Sequence, residues 1–132
     1  MQALVFTGAF NPPTRAHLAL AEFALRETGR EAVIFVPSKS RYIEDSQGKD
    51  FAFPDEERLS MLRACQARRP WMRVCDWELQ RPRQPRTYET LCHLREAQIQ
   101  GTLLLGSDNL RLMDTGWRYV PEIAREFGIV CL

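Results

Sequence analysis

The stretch that decides the fold is ALVFTGAFNPPTRAH, residues 3–17. It begins with Ala3 to Phe6, a short apolar run that predicts a buried strand. Thr7-Gly8 ends the run, and two prolines then lead to Thr14, a residue type that is favoured at helix N-caps. A strand, a glycine turn and a capped helix in direct succession predict the start of a strand–helix–strand unit.

The same alternation of apolar runs and helical patterns continues to the end of the chain. Because strands that alternate with helices form parallel sheets covered on both faces, we predict an α/β fold. Its form is a Rossmann-like parallel five-stranded sheet in a single domain, with ligands bound beyond the carboxyl ends of the strands. The further predicted strands are 32–36, 72–77, 102–105 and 129–132, and the predicted helices are 15–28, 54–69, 87–98, 108–113 and 121–127.

Composition narrows the class of protein. The 132 residues are 45% hydrophobic and 27% charged, which is typical of one globular domain. The longest apolar run, 32–36, is far shorter than the ~20 residues of a membrane helix, and a net charge of +1 gives no general case for nucleic-acid binding. Four cysteines without a C-x-x-C pair argue against a metal site and favour reduced thiols in the cytoplasm. Oligomeric state is left open, a homo-oligomer included.

The turn after the first strand has the features of an anion site. Gly8 and Ala9 allow the backbone to approach a ligand closely. Thr14 and His17 are three residues apart, so both lie on the first helical turn, where unpaired N–H groups and the helix dipole attract anions. A histidine at this place donates a hydrogen bond to phosphate. The only two lysines, Lys39 and Lys49, follow the second strand and would add mobile positive charge.

Residues 8–17, GAFNPPTRAH, resemble the signature of the nucleotidyltransferase superfamily, G-x-F-[ND]-P-x-[HT]-x-x-H. The resemblance implies that Thr14 and His17 act catalytically by contacting the triphosphate of ATP. It also implies that Gly8, Ala9, Phe10 and Asn11 cradle the nucleotide.

Later segments resemble a subfamily, the nicotinate/nicotinamide mononucleotide adenylyltransferases. Residues 81–91, RPRQPRTYETL, are similar to its R-x(n)-S-Y-T-x-D-T-L stretch, and residues 105–110, LGSDNL, to its G-[AS]-D-[NS]-L. Arg58 with Met61-Leu62 matches an R-x-x-M-L helix, and Trp117 stands where that family has a tryptophan.

The resemblance implies adenylyl transfer from ATP to a pyridine mononucleotide in NAD biosynthesis, with Mg²⁺ bridging the phosphates. Small-molecule nucleotides would be the partners, with neither nucleic acid nor membrane involved. The residues implied to bind ATP are Gly8, Ala9, Phe10, Asn11, Thr14, His17, Gly106 and Asp108, and those implied to bind the mononucleotide are Lys39, Thr87, Tyr88 and Trp117. No residues are predicted to form a metal site.

Two alternatives stay open at this point. Pantetheine-phosphate adenylyltransferases share the T-x-x-H motif, although the contexts of Thr87-Tyr88 and Trp117 argue against that subfamily. The superfamily also carries a C-terminal S-[ST]-x-x-x-R motif that this sequence lacks. We therefore expect residues 1–132 to form one nucleotidyltransferase-like domain truncated at its C-terminus, and a non-catalytic nucleotide-binding module is the second alternative.

Overall fold

The computed structural model describes residues 1–40, 51–106 and 119–132. Over these ranges the chain alternates strands and helices, as predicted, with one short 3₁₀ helix at Trp77–Gln80. The strands are β1 Gln2–Gly8, β2 Ala32–Pro37, β3 Met72–Val74, β4 Gln100–Leu105 and β5 Ile129–Cys131. The helices are α1 Arg15–Thr28, α2 Asp55–Gln66, α3 Thr87–Glu96 and α4 Val120–Glu126.

All five strands pair in parallel in the order β3-β2-β1-β4-β5, which confirms the predicted sheet. Strand order reverses at β1, which lies between β2 and β4. Ala3 pairs with Ala32 on one side and with Gly101 on the other. In sheets of this kind the crevice beyond the carboxyl ends of the central strands is where ligands bind. The loop that follows β1 borders that crevice, and Gly106 stands just beyond the end of β4.

Helices cover both faces of the sheet. Alternate residues of β1 point to opposite sides, so Leu4 and Phe6 pack with α1 and α2 while Ala3 and Val5 pack with α3 and α4. The central strands β1, β2 and β4 are buried over most of their length, as expected for a parallel sheet with two covered faces. No helix of the residues described here is long and apolar enough to cross a membrane.

Local signals place the ends of α1 correctly. The Thr14 side chain accepts from the His17 N–H, and Gly29 ends the helix with a φ of 67° and an N–H bond to the carbonyl of Leu25. A positive φ is strained for residues with a side chain, so a glycine suits this place.

Several predicted boundaries are wrong by one to three residues. The third strand ends at Val74 instead of Trp77, and the second helix ends at Gln66 instead of Arg69. The sequence also favours Thr87 as the N-cap of the third helix, but Arg86 holds that place, its N–H donating to the Glu89 carboxylate, and the helix runs from Thr87 to Glu96 instead of to Gln98. The predicted helix 108–113 lies outside the described residues.

A buried carboxylate lies in the 3₁₀ helix that follows β3. Glu78, only 2% exposed, accepts hydrogen bonds from the Thr90 hydroxyl and the Gln84 amide. The Gln84 side-chain oxygen in turn accepts from the Lys39 backbone N–H at 2.8 Å. This chain of bonds ties the loop after β2 to the first turn of α3, so it orders two segments at the carboxyl edge of the sheet.

Gly101→Ala should destabilise the fold. A Cβ at this position would stand 2.6 Å from the Val5 Cγ2 atom, so the packing between β1 and β4 would have to shift. We expect a loss of about 1–3 kcal/mol in the free energy of unfolding, measured by urea denaturation. The double variant Gly101→Ala/Val5→Ala should lose less than the sum of the two single changes. Strict additivity would contradict this packing.

Glu78 should make stability pH-dependent. Burial raises the pKa of its carboxyl from 4.5 to about 7, against the opposing effect of the Thr90 and Gln84 hydrogen bonds. Between these pH values the folded state binds a proton that the unfolded state has released, so stability falls as pH rises. Relative to Glu78→Gln, the chain should lose up to about 3 kcal/mol from pH 4.5 to pH 7. A constant difference in unfolding free energy across that range would show that folding does not raise the pKa of Glu78.

Candidate functional site

The loop after β1 turns its largest side chain inward. Phe10 is only 2% exposed, and its ring packs against the rings of Phe6 and Phe35 with centroids 5.3 Å away. Its φ of 47° lies in the left-handed region, so the surrounding packing must hold this backbone. A Cβ on Gly8 would meet the Phe10 ring at 3.4 Å, which shows how closely ring and backbone approach. The predicted ATP contact of Phe10 is therefore available only through its backbone.

The side chain of Asn11 is also used within the protein. Its Nδ2 donates to the Phe51 carbonyl and its Oδ1 accepts from the Phe53 N–H, both at 2.8 Å. These two bonds fix residues 51–53 against the loop. Contacts that Asn11 makes with a nucleotide in this arrangement would come from its backbone.

Thr14 and His17 form a reciprocal capping box at the start of α1. The Thr14 Oγ1 accepts from the His17 N–H at 3.4 Å, and the Thr14 N–H donates to the His17 Nδ1 at 2.9 Å. Because a backbone N–H can only donate, Nδ1 acts as an acceptor here, so Nε2 is the nitrogen that carries the proton of the neutral ring. The cap therefore sets the tautomer in which Nε2 is a donor.

Aromatic contacts fix the plane of the His17 ring. It packs edge-to-face against Phe10 and Phe6, with centroids 5.1 and 6.2 Å away. The side chain is half-buried at the junction of the β1 loop and α1. The Arg15 and Ala16 N–H groups, in the same first turn, have no acceptor within the helix. Thr14, His17 and these amides thus converge at one helix N-terminus.

Lys39, which is predicted to meet phosphate, is bonded within the protein in this structure. Its Nζ donates to the carbonyls of Leu79 and Arg81, at 2.9 and 2.7 Å. In this state the ammonium group holds the segment after β3 against the end of β2. A contact between Lys39 and a ligand would require these bonds to be exchanged.

Thr87 and Tyr88 lie in the first turn of α3, and the Tyr88 hydroxyl is bonded within the protein. The Tyr88 hydroxyl donates to the Glu126 carboxylate at 2.8 Å, which raises the pKa of Tyr88 to about 12. Its ring stacks on that of Tyr119 at 5.1 Å. Tyr88 is thus joined to α4, which the local sequence did not indicate.

Of the remaining predicted residues, the structure describes Gly106. Because Phe6 pairs with Leu104, β1 and β4 end side by side, and Gly106 follows directly beyond this shared edge. Asp108, Trp117 and Lys49 lie outside the described residues.

Arg58 contributes to the site in a way that the sequence did not predict. Arg58 is completely buried in the first turn of α2, and its Nη1 donates to the Ala9 carbonyl at 2.7 Å. Burial lowers the pKa of its guanidinium, whereas Asp55 beside it acts in the opposite direction. One signal was available, since Arg58 stands four residues before Leu62 on the apolar face of its helix. A charged residue on that face needs buried partners.

These groups can bind an anion but offer little for proton transfer. The helix N-terminus, the Thr14 hydroxyl and the His17 Nε2–H are all donors. Within the described ranges no three or more His, Cys, Asp or Glu residues are grouped as metal ligands. The arrangement suits the binding and charge stabilisation of a polyphosphate.

Curated relatives are similar over nearly the whole chain. The nicotinamide/nicotinic acid mononucleotide adenylyltransferase of Arabidopsis thaliana is 29% identical over 143 residues, which cover 98% of this chain and 60% of that protein. A probable nicotinate-nucleotide adenylyltransferase of Caldicellulosiruptor saccharolyticus is 29% identical over 132 residues, which cover 100% of this chain and 65% of the relative. The chain thus spans less than two thirds of the length of both relatives.

Solved structures and a family model agree with the fold. The Plasmodium falciparum nicotinic acid mononucleotide adenylyltransferase complexed with NaAD superposes with a TM-score of 0.69 at 14% identity, over 99% of this chain and 75% of that one. At this identity the likeness shows the fold alone. The cytidylyltransferase-like family model matches residues 5–132. The chain therefore belongs to the cytidylyltransferase-like family, within the nucleotidyltransferase superfamily that residues 8–17 resemble.

Proposed function

We propose that this chain transfers the adenylyl group of ATP to nicotinate mononucleotide or nicotinamide mononucleotide, a reaction of NAD synthesis. The observation that carries the proposal is the Thr14–His17 capping box, which gathers phosphate donors beside the strand reversal at β1. The names of the relatives support the pyridine mononucleotide as acceptor.

The chemistry needs positioning more than proton transfer. An oxygen of the mononucleotide 5′-phosphate attacks the α-phosphorus of ATP, a new P–O bond forms, and the bond to the β-phosphate oxygen breaks to release pyrophosphate. The attacking phosphate is already mostly ionised at neutral pH because its second pKa is about 6. Donors that stabilise the charge on the triphosphate therefore account for catalysis, without a general base.

Each predicted residue has a role in this proposal. Thr14 and His17 would donate to the triphosphate, and the backbone of Gly8, Ala9 and Phe10 would face the nucleotide. Asn11 would hold the loop in shape, while Gly106 and Asp108 would border the ATP ribose. Residues proposed to border the mononucleotide are Lys39, Thr87, Tyr88 and Trp117.

Mg²⁺ would accompany ATP as part of the substrate. Phosphate oxygens and water are its preferred ligands in such complexes, which suits a site rich in hydrogen-bond donors. The use of ATP and the unpaired cysteines support a cytoplasmic location.

Pyrophosphate release with different acceptors tests the proposal. With ATP and Mg²⁺, the chain should release pyrophosphate when nicotinate or nicotinamide mononucleotide is added, and not when phosphopantetheine is added. Turnover with phosphopantetheine alone would assign the chain to a different adenylyltransferase. ATP binding without turnover of any acceptor would instead favour a non-catalytic nucleotide-binding module.

His17 variants should separate capping from phosphate binding. His17→Glu retains a side chain that accepts the Thr14 N–H, so we expect unfolding free energy within about 1 kcal/mol of the original chain. A carboxylate cannot donate to phosphate, and pyrophosphate release should therefore fall by about 10²- to 10³-fold. His17→Gln keeps both an acceptor and a donor and should retain more activity than His17→Glu.

His17→Ala is the matched variant that loses both functions. It should show the same loss of turnover together with a lower unfolding free energy, because the reciprocal bond of the cap is gone. Full turnover by a stably folded His17→Glu would contradict the role given to the imidazole.

A further inference from the structure

The guanidinium of Arg58 makes three hydrogen bonds to two segments of the chain. Its Nε donates to the Phe53 carbonyl at 3.0 Å, and its Nη1 donates to the Ala9 carbonyl at 2.7 Å. Its Nη2 donates to the Asp55 carboxylate, also at 2.7 Å. Arg58 thus joins the loop after β1 to the segment that leads into α2.

The same segment is held to the loop after β2. The Asp55 Oδ1 that pairs with Arg58 also accepts from the Ser40 N–H at 2.7 Å. Asn11 adds its two bonds to Phe51 and Phe53. Both loops at the carboxyl edge are therefore fixed through residues 51–58.

The bond to Ala9 determines the direction of a backbone donor. The peptide between Ala9 and Phe10 is trans, so its carbonyl and its N–H point in opposite directions. Because the Ala9 carbonyl is directed to the buried Arg58, the Phe10 N–H is directed away from it, toward the outer side of the loop. The left-handed backbone at Phe10 would have fewer constraints without this bond.

Stability alone does not account for a charge at this place. Arg58 loses its hydration while the Asp55 side chain stays 30% exposed, and the replacement of a buried charge and its partner by apolar residues of similar volume is often neutral or stabilising. Arg58 is completely buried, and Asp55 is its only salt-bridge partner among the described residues. The three directed bonds, which an apolar side chain cannot make, are what the guanidinium adds.

We propose that Arg58 is a positioning residue for ATP, which holds the Ala9 carbonyl so that the Phe10 N–H faces the triphosphate. This inference rests on the proposed function, from which it takes ATP as the ligand. The effect on the loop itself is independent of catalysis and can be measured without nucleotide.

Hydrogen exchange and ATP binding in Arg58→Met test the proposal. Amides of residues 8–11 in the ligand-free variant should exchange about 10-fold faster, since the loop loses its anchor. The dissociation constant for ATP should rise about 10-fold or more. The matched control is Thr102→Val in β4, away from the loop. This change removes the buried hydrogen bond that the Thr102 hydroxyl donates to the Phe127 carbonyl. It should leave both measurements unchanged.

The outcomes decide between positioning and simple stabilisation. Equal loop exchange and equal ATP affinity in Arg58→Met and the control would overturn the proposal. If Arg58→Met does not fold, Arg58→Lys replaces it, because the lysine keeps the charge beside Asp55 but loses the forked contacts. Arg58→Lys should then show the faster loop exchange, and normal exchange would overturn the proposal. Failure of the original chain to bind ATP would refute the proposed function, while the exchange data would still test the anchor.

Discussion

The bond between the buried Arg58 guanidinium and the Ala9 carbonyl is the contact on which the candidate site depends. The N–H groups of an anion-binding loop must stay available for the ligand. The conformation of the loop must therefore be fixed by its carbonyls and side chains. Here the Ala9 carbonyl, the Phe10 ring and the Asn11 amide are all fixed from the inside. The strained φ of Phe10 persists because these contacts determine it together.

The motif at residues 8–17 therefore contains two kinds of residue. Gly8, Phe10 and Asn11 build the loop, and their side chains, or the lack of one, face the core or residues 51–53. Thr14 and His17 belong to the second kind, since they lie on the exposed first turn of α1. Their reciprocal bonds cap α1 and also set the tautomer of the His17 imidazole. The same two residues therefore stabilise the helix and orient the proposed phosphate donor.

Local sequence signals were sufficient for most of the fold. The five strands and both ends of α1 depend on apolar periodicity and on capping residues close in sequence, whereas the strand order was not predicted. The contacts that were not predicted join residues that are far apart in the sequence. Lys39 bonds to carbonyls 40 and 42 residues away, Tyr88 to a carboxylate 38 residues away, and Arg58 to a carbonyl 49 residues away. Spacing within a single motif contains no information about such partners.

The central claim is that the first turn of α1 binds the triphosphate of ATP, and a crystal structure with a non-hydrolysable ATP analogue tests it most directly. We expect a phosphate oxygen within about 3 Å of the His17 Nε2, with the Thr14 cap intact. A triphosphate bound elsewhere, with His17 still engaged only by protein groups, would contradict the account.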